Sequence, residues 1–196
     1  MKYSTLILII ALLTFACSSD DNDSNTLQNQ IVDTRDNQIY EIVTIGNQTW
    51  FAQNLNYSPA NTTSECYQND PTNCFIYGRL YQGDEALTAC PDGWHLASVE
   101  EWETLFDYVG GIESAHNLLA PYAMQQGNLV GFNMLAGGWK AVNFTSLTER
   151  GYFWTSTEGE EPGFNRWITY KKDEYVSISE SAFNVGNRMS CRCIKD

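Results

Sequence analysis

Positive charge is scarce in this chain of 196 residues: 11 Lys and Arg stand against 24 Asp and Glu, a formal net charge of −13. A surface this acidic repels phosphate backbones and anionic headgroups, which excludes nucleic acid as a partner and a basic patch as a means of membrane attachment. Histidine is scarcer still. His95 and His116 are the only two, which leaves little to complete a metal-thiolate site, and Cys66-x7-Cys74 and Cys191-x-Cys193 are not zinc-knuckle spacings. There is no internal repeat and no transmembrane span, since a spanning helix needs about 20 apolar residues. No serine-histidine-acid group or carboxylate pair stands out as catalytic machinery.

What is present begins at the N-terminus. Met1-Lys2 supplies a positive start, and the eight apolar residues Leu6-Ile7-Leu8-Ile9-Ile10-Ala11-Leu12-Leu13 follow. Thr14-Phe15-Ala16 then leads to Cys17 and the acidic stretch Ser18-Ser19-Asp20-Asp21-Asn22-Asp23. This is the layout of a signal peptide ending at a cysteine, and it resembles a bacterial lipoprotein signal. The resemblance implies cleavage after residue 16, lipidation of Cys17 and attachment to a membrane through that lipid. Asp20, Asp21 and Asp23 also resemble the surface-export signal of Bacteroidetes lipoproteins, which implies an outer-membrane protein at the cell surface. A plain solvated tether is the alternative, and it leaves the periplasmic face open. Loss of residues 1–16 leaves 180 residues and, with Lys2 gone, takes the formal charge from −13 to −14. That length suits one domain with a proper core.

Residues 17–32 are mostly Ser, Asn, Asp and Gln and read as a flexible acidic tether; the folded domain is expected over residues 33–196. Alternation through Ile39, Glu41, Val43 and Ile45, followed by Gly46-Asn47 and Gln48-Thr49-Trp50-Phe51, predicts a hairpin. Residues 54–74 read as a long loop that needs a staple. Ser98 with Glu101 three residues on forms a capping-box signature, and Val99, Trp102, Leu105, Phe106 and Val109 recur at helical spacing up to Gly110-Gly111. A second helix is expected over residues 113–120, and a short helical turn within 84–90. Beyond Gly127 the pattern changes to short strands: Tyr152-Phe153-Trp154-Thr155-Ser156, then Trp167-Ile168-Thr169-Tyr170 pairing with Tyr175-Val176-Ser177-Ile178, and a last strand over 189–194. The predicted class is α+β, with an N-terminal hairpin, two helices and a β-rich C-terminal half with long loops. Besides Cys17 there are Cys66, Cys74, Cys90, Cys191 and Cys193. In an exported chain these read as disulfides with one thiol left over, metal ligation being the weaker alternative.

Several motifs in register carry a family likeness. Val43-Thr44-Ile45-Gly46-Asn47-Gln48-Thr49-Trp50, Gln53-Asn54-Leu55-Asn56-Tyr57, Tyr77-Gly78-Arg79-Leu80-Tyr81 and Cys90-Pro91-Asp92-Gly93-Trp94-His95-Leu96 come first. Gly131-Phe132-Asn133, Gly137-Gly138, Phe153-Trp154-Thr155-Ser156-Thr157 and Arg192-Cys193-Ile194-Lys195-Asp196 follow. Together they resemble the Fibrobacter succinogenes major paralogous domain from about Tyr40 to Asp196. The resemblance implies a fold similar to C-type lectins and formylglycine-generating enzymes. It also implies bridges Cys66–Cys74 and Cys90–Cys193, where the longer loop is worth about 4–5 kcal/mol and the shorter about 2.5 on the loop-entropy model. Cys191 stands where the family usually has an aliphatic residue. Two positions from Cys193 on a strand, it should share that residue's face as a buried free thiol.

No cysteine aligns with the reactive pair of the formylglycine-generating enzymes, so no catalysis is expected. His95 reads as a side chain pinning a turn, with a general base as the alternative. The loop holding Glu158, Glu160, Glu161, Phe164, Asn165 and Trp167 combines carboxylates, an amide and aromatic faces, and is the expected ligand-binding segment. Its oxygens leave Ca²⁺ open as a cofactor although none is expected outright; a solvated acidic loop is the plain alternative. Trp139, Tyr152, Phe164 and Trp167 offer metal-free stacking surfaces if exposed. The expected function is a lipid-anchored extracytoplasmic binding or adhesion module that recognises a glycan or a surface protein. An enzyme of the formylglycine-generating type and a structural envelope protein are the alternatives.

Overall fold

The computed structural model describes residues 29–58, 60, 62–120, 131–161, 164–182 and 186–196, with the side chain of Phe164 outside that set. The expected signal peptide, the lipidation site Cys17 and most of the expected tether therefore lie outside the described residues. The strand β1, Gln30–Asp33, takes in residues that composition assigns to the tether, because it pairs antiparallel with β2, Gln38–Ile45. β2 turns at Gly46 into β3, Gln48–Phe51, as the hairpin pattern predicts. Gly46 has a positive φ of 62° at the first turn position, which a side chain would disfavour.

Four α-helices follow among the described residues: α1 Pro71–Tyr77, α2 Gly83–Ala86, α3 Val99–Tyr108 and α4 Ile112–Leu118. The first begins within the expected loop over 54–74 and runs past its end. Asp70 accepts a bond from the Thr72 amide and Pro71 opens the first turn, a start signal hidden among Asn and Thr neighbours. In α3 the Ser98 hydroxyl accepts from the Glu101 amide and Glu101 accepts from the Ser98 amide, the reciprocal cap predicted for it. Val99, Trp102, Leu105 and Phe106 form its buried face.

Strands dominate. β4 (Trp94–Leu96) and β10 (Cys193–Lys195) join the N-terminal hairpin in a five-stranded sheet of order β1-β2-β3-β10-β4. β5 (Gly137–Lys140), β6 (Phe144–Leu147), β7 (Arg150–Glu158), β8 (Phe164–Lys171) and β9 (Tyr175–Ala182) make a second, of order β6-β5-β7-β8-β9. The expectation of an α+β, C-type-lectin-like domain with two helices is thus overturned: among the described residues ten strands in two sheets outweigh four helices of ten residues or fewer, and the domain is β-rich. The reason is long-range pairing. β10 is inserted between β3 and β4, which turns a local hairpin into half of a large sheet.

Strand alternation sorts the buried side chains into a pair of cores. Trp50, Phe153 and Ile194 join Trp102, Phe106, Phe132 and Ile168 in one. Their neighbours Phe51, Trp154 and Cys193 face the other, with Tyr40, Leu55, Tyr81, Leu96, Met189 and Cys191. Disulfides join Cys66 to Cys74 and Cys90 to Cys193, the pairs the family resemblance implies, and Cys191 is free and buried.

Arg192, between these cysteines, points into the first core. Its Nη1 donates to the carbonyls of Phe51 (3.0 Å) and Phe132 (2.5 Å), and Nη2 to Asn54 Oδ1 (2.7 Å) and the Asn133 carbonyl (3.0 Å). The guanidinium carbon lies 4.4 Å from the Phe132 ring centroid. Burial pulls the group down to about 9, which keeps it protonated at neutral pH. Arg192→Met leaves these acceptors unpaired at about 1–3 kcal/mol each, partly offset by loss of the buried charge, and should cost about 3 kcal/mol or more. Arg192→Lys should not restore it, because an ammonium lacks the planar fork. Urea midpoints at constant slope measure both; a loss below about 1 kcal/mol would remove Arg192 from this role.

Candidate functional site

The register of the second sheet sets which side chains share a face. Trp154 pairs with Trp167, and Tyr152 with Thr169, across β7 and β8; Trp167 and Thr169 pair with Ser179 and Ser177 across β8 and β9. Gly138 and Gly151 are parallel partners, which brings the following residues Trp139 and Tyr152 together with ring centroids 5.3 Å apart. Gly138 has a positive φ, and a Cβ there would lie 2.6 Å from the Thr145 carbonyl oxygen. Trp139, Tyr152 and Trp167 are half-buried against the second core. The Trp167 indole donates to Thr169 Oγ1 at 3.1 Å, and that hydroxyl lies 3.2 Å from Ser179 Oγ. The face therefore alternates aromatic rings with hydroxyls and an amide, Asn165, two residues from Trp167.

At the Asn165 end the face runs into a cleft of about 180 Å³. β7 slips register between Trp154 and Glu158, where Glu158 meets Asn165. Two of the cleft's hydroxyls are committed: Thr155 donates to the Arg166 carbonyl, and Thr157 Oγ1 accepts from the Val99 amide at 2.9 Å and donates to Glu100. Exposed Asp84, Ser156 and Glu158, with half-buried Asn165, supply the remaining polar edges. Among the described residues, no Lys, Arg or His lines it. Arg166 faces Glu180 at 3.7 Å, and Glu180 also accepts from the Glu160 amide at 2.9 Å, fixing the loop to β9.

The expected ligand segment is thus partly assembled. Glu158, Asn165 and Trp167 share the cleft and the adjoining face, while Glu160 and Glu161 are exposed on the loop; the Phe164 side chain lies outside the described residues. Among the described residues no three His, Cys, Asp or Glu side chains gather to hold a metal ion. Trp139 and Tyr152 enter beside Trp167 through a parallel pairing that no local pattern announces.

The two residues with enzymatic alternatives are placed differently. Burial pushes the Cys191 thiol well up, so it stays protonated at neutral pH. His95 Nδ1 lies 2.7 Å from Asp196 Oδ1 and Nε2 lies 2.9 Å from Glu101 Oε1. Burial lowers its pKa, but the bonds to Asp196 and Glu101 and their charges outweigh that, and it is raised above 6.5. The imidazole ties the first turn of α3 to the end of β10.

A β-rich domain with a mixed aromatic and hydroxyl face is the class that these observations define. The chain matches the family described as the Fibrobacter succinogenes major domain over residues 43–195 and belongs to it. No curated protein and no solved structure matches it.

His95 gives a pH prediction. With its folded pKa raised, its ion pairs contribute fully below the unfolded value near 6.5 and are lost as pH rises through the folded one. The melting-temperature gap between the native chain and His95→Gln should therefore be widest just below pH 6.5 and narrow as pH rises through the raised folded value. A gap independent of pH would leave the imidazole a packing role only.

Proposed function

We propose that this protein is a lipid-anchored, extracytoplasmic binding module whose ligand surface is the Trp139–Tyr152–Trp167 face of the second sheet and the cleft beyond it. The observation that carries the reading is the shared placement of three half-buried aromatic rings with Ser179 and Asn165 on one sheet face, where the buried Thr169 hydroxyl holds the Trp167 indole. Rings stack on the apolar faces of sugars, while hydroxyls and amides meet their edges. A protein surface could use the same groups, but a row of small hydroxyls favours a neutral glycan. The carboxylates of Asp84 and Glu158, with no cation among the described residues of the cleft, disfavour an anionic one. Catalysis forms no part of the reading, for the free thiol is buried and His95 is held between two carboxylates.

Trp167→Ala and Trp139→Ala should each weaken binding to a responsive neutral oligosaccharide by about 1–3 kcal/mol while the domain stays folded. Titration of the full chain against a panel of neutral and uronic-acid oligosaccharides, with melting temperature as the folding control, measures this. Uronic-acid ligands binding best, or neutral binding that survives both substitutions, would defeat the reading.

The anchor is tested separately. Fatty-acid analogue labelling in cells should mark the native chain, and Cys17→Ala should abolish the label and release the protein from membranes. Labelling that persists in the variant would place the lipid elsewhere or remove it from the account. Replacement of Asp20, Asp21 and Asp23 by Asn should leave the protein lipidated but shielded from external protease, if the acidic run directs it to the outer membrane's exterior.

A further inference from the structure

The two disulfides differ in what surrounds their sulfurs. Arg79 Nη1 lies 3.8 Å from Cys66 Sγ and 3.8 Å from Cys74 Sγ. Its other donors go to uncharged acceptors, Ser64 Oγ and the Ser64 carbonyl, both at 2.9 Å, and it has no ion-pair partner among the described residues. The neighbouring carboxylate, Glu65, is taken up by Lys140 and Arg188. A guanidinium without a local counter-charge therefore faces this bridge, whereas no donor among the described residues reaches the sulfurs of Cys90 or Cys193.

Such a charge does little for a disulfide, which is neutral, and much for a thiolate, whose charge it offsets. Thiol–disulfide exchange expels one sulfur as thiolate, and a better stabilised thiolate leaves faster. The two sulfurs also differ towards an incoming thiol. Cys66 is half-buried while Cys74 is only 4% exposed, so attack falls on Cys66 and Cys74 is the leaving group.

What the bridge holds is equally specific. Cys74 is the one buried residue of α1, and a helix of seven residues has little stability of its own. The segment on the other side of the bridge has further attachments: Glu65 to Lys140 and Arg188, and the Tyr67 ring beside Phe144 at 5.1 Å. Opening the bridge loosens α1 and leaves both sheets in place.

We propose that Cys66–Cys74 is a thiol-exchange site, a redox-responsive clasp on α1 that an external low-molecular-weight thiol opens. The thiolate RS⁻ bonds to Cys66 Sγ, the Cys66–Cys74 bond breaks, and its electron pair leaves on Cys74 Sγ beside Arg79. A second RS⁻ attacks the thiol's own sulfur in the mixed disulfide, giving RSSR and a Cys66 thiolate that takes a proton from water. The bridge gains two electrons and the two thiols lose them.

Glutathione is the probe, added to the native full chain at neutral pH, with acid quenching, alkylation and mass mapping of each cysteine over time. The expected result is a glutathione adduct on Cys66 and a free thiol at Cys74, formed at least about tenfold faster than any opening of Cys90–Cys193. Hydrogen exchange should then rise within α1 and stay unchanged in β7 and β8. Arg79→Gln should slow the opening about tenfold, because the departing thiolate loses its counter-charge. An adduct on Cys74, or two bridges that open together at the rate of global unfolding, overturns the proposal, and so does a folded Arg79→Gln chain that opens at the native rate. The adduct position and the relative rates come from the native chain, so they decide the matter even if the variant fails to fold.

Discussion

A buried guanidinium held by neutral acceptors organises this domain. Arg192 binds carbonyls on β3 and on the 132–133 segment, and the side chain of Asn54. Asn54 in turn donates to the Tyr77 carbonyl at 2.8 Å, at the end of α1. A charge taken out of water costs several kcal/mol unless its donors are matched, and here four bonds to neutral acceptors and the Phe132 ring match Nη1 and Nη2, while the buried Nε has no partner among the described residues. Its four bonds form together only when β3, β10, Asn54 and the 132–133 segment are all in place, so its burial couples the N-terminal hairpin to the end of the chain.

The same few residues at β10 divide the interior. Cys193 turns to the second core and its bridge to Cys90, while Arg192 and Ile194 turn to the first. Strand alternation repeats the division on β7, where Phe153 belongs to one core and Trp154 to the other. Tyr152 follows Trp154 by alternation, and Trp167 follows by register. The aromatic face is therefore the outer margin of the second core, where the covering segment around Tyr81 and Met189 shields Trp154 but leaves Tyr152 and Trp167 half open. Rings fixed in this way lose little freedom on meeting a ligand, which favours affinity.

What the sequence made legible was local. The capping box of α3 lies within four residues, and the β8–β9 pairing depends on a short turn between two alternating runs, so both could be read directly. The disulfide pairs came from family likeness rather than spacing. The β-rich class was missed because β10 pairs with β3 and β4 across most of the chain, and a three-residue strand has no period long enough to announce its partners. α1 was missed because Asn and Thr around its Asp-Pro start favour loops. Arg192 was hidden by its type, since a lone arginine is expected at the surface. Within the candidate site, Trp167, Asn165 and Glu158 were within reach of a loop argument. The meeting of Trp139 with Tyr152 needed the parallel β5–β7 contact, which spans residues on either side of β6.

The charge distribution links the aromatic face to the remainder of the surface. Cations are few, and several of them hold segments together. Arg35 binds Asp33 at 2.7 Å and the carbonyls of Ala89 and Cys90; Lys140 and Arg188 converge on Glu65 at 2.6 and 2.9 Å. Arg79 fastens Ser64 beside the Cys66–Cys74 bridge. Each of these joins separate stretches of chain, where one ion pair with several hydrogen bonds is worth more than an exposed pair screened by solvent. The consequence is an outer surface on which carboxylates outnumber the remaining cations, such as the exposed Lys172 and Lys195. On such a surface, attraction of an anion is disfavoured, and the uncharged rings and hydroxyls of the second sheet are the groups whose contacts charge does not oppose.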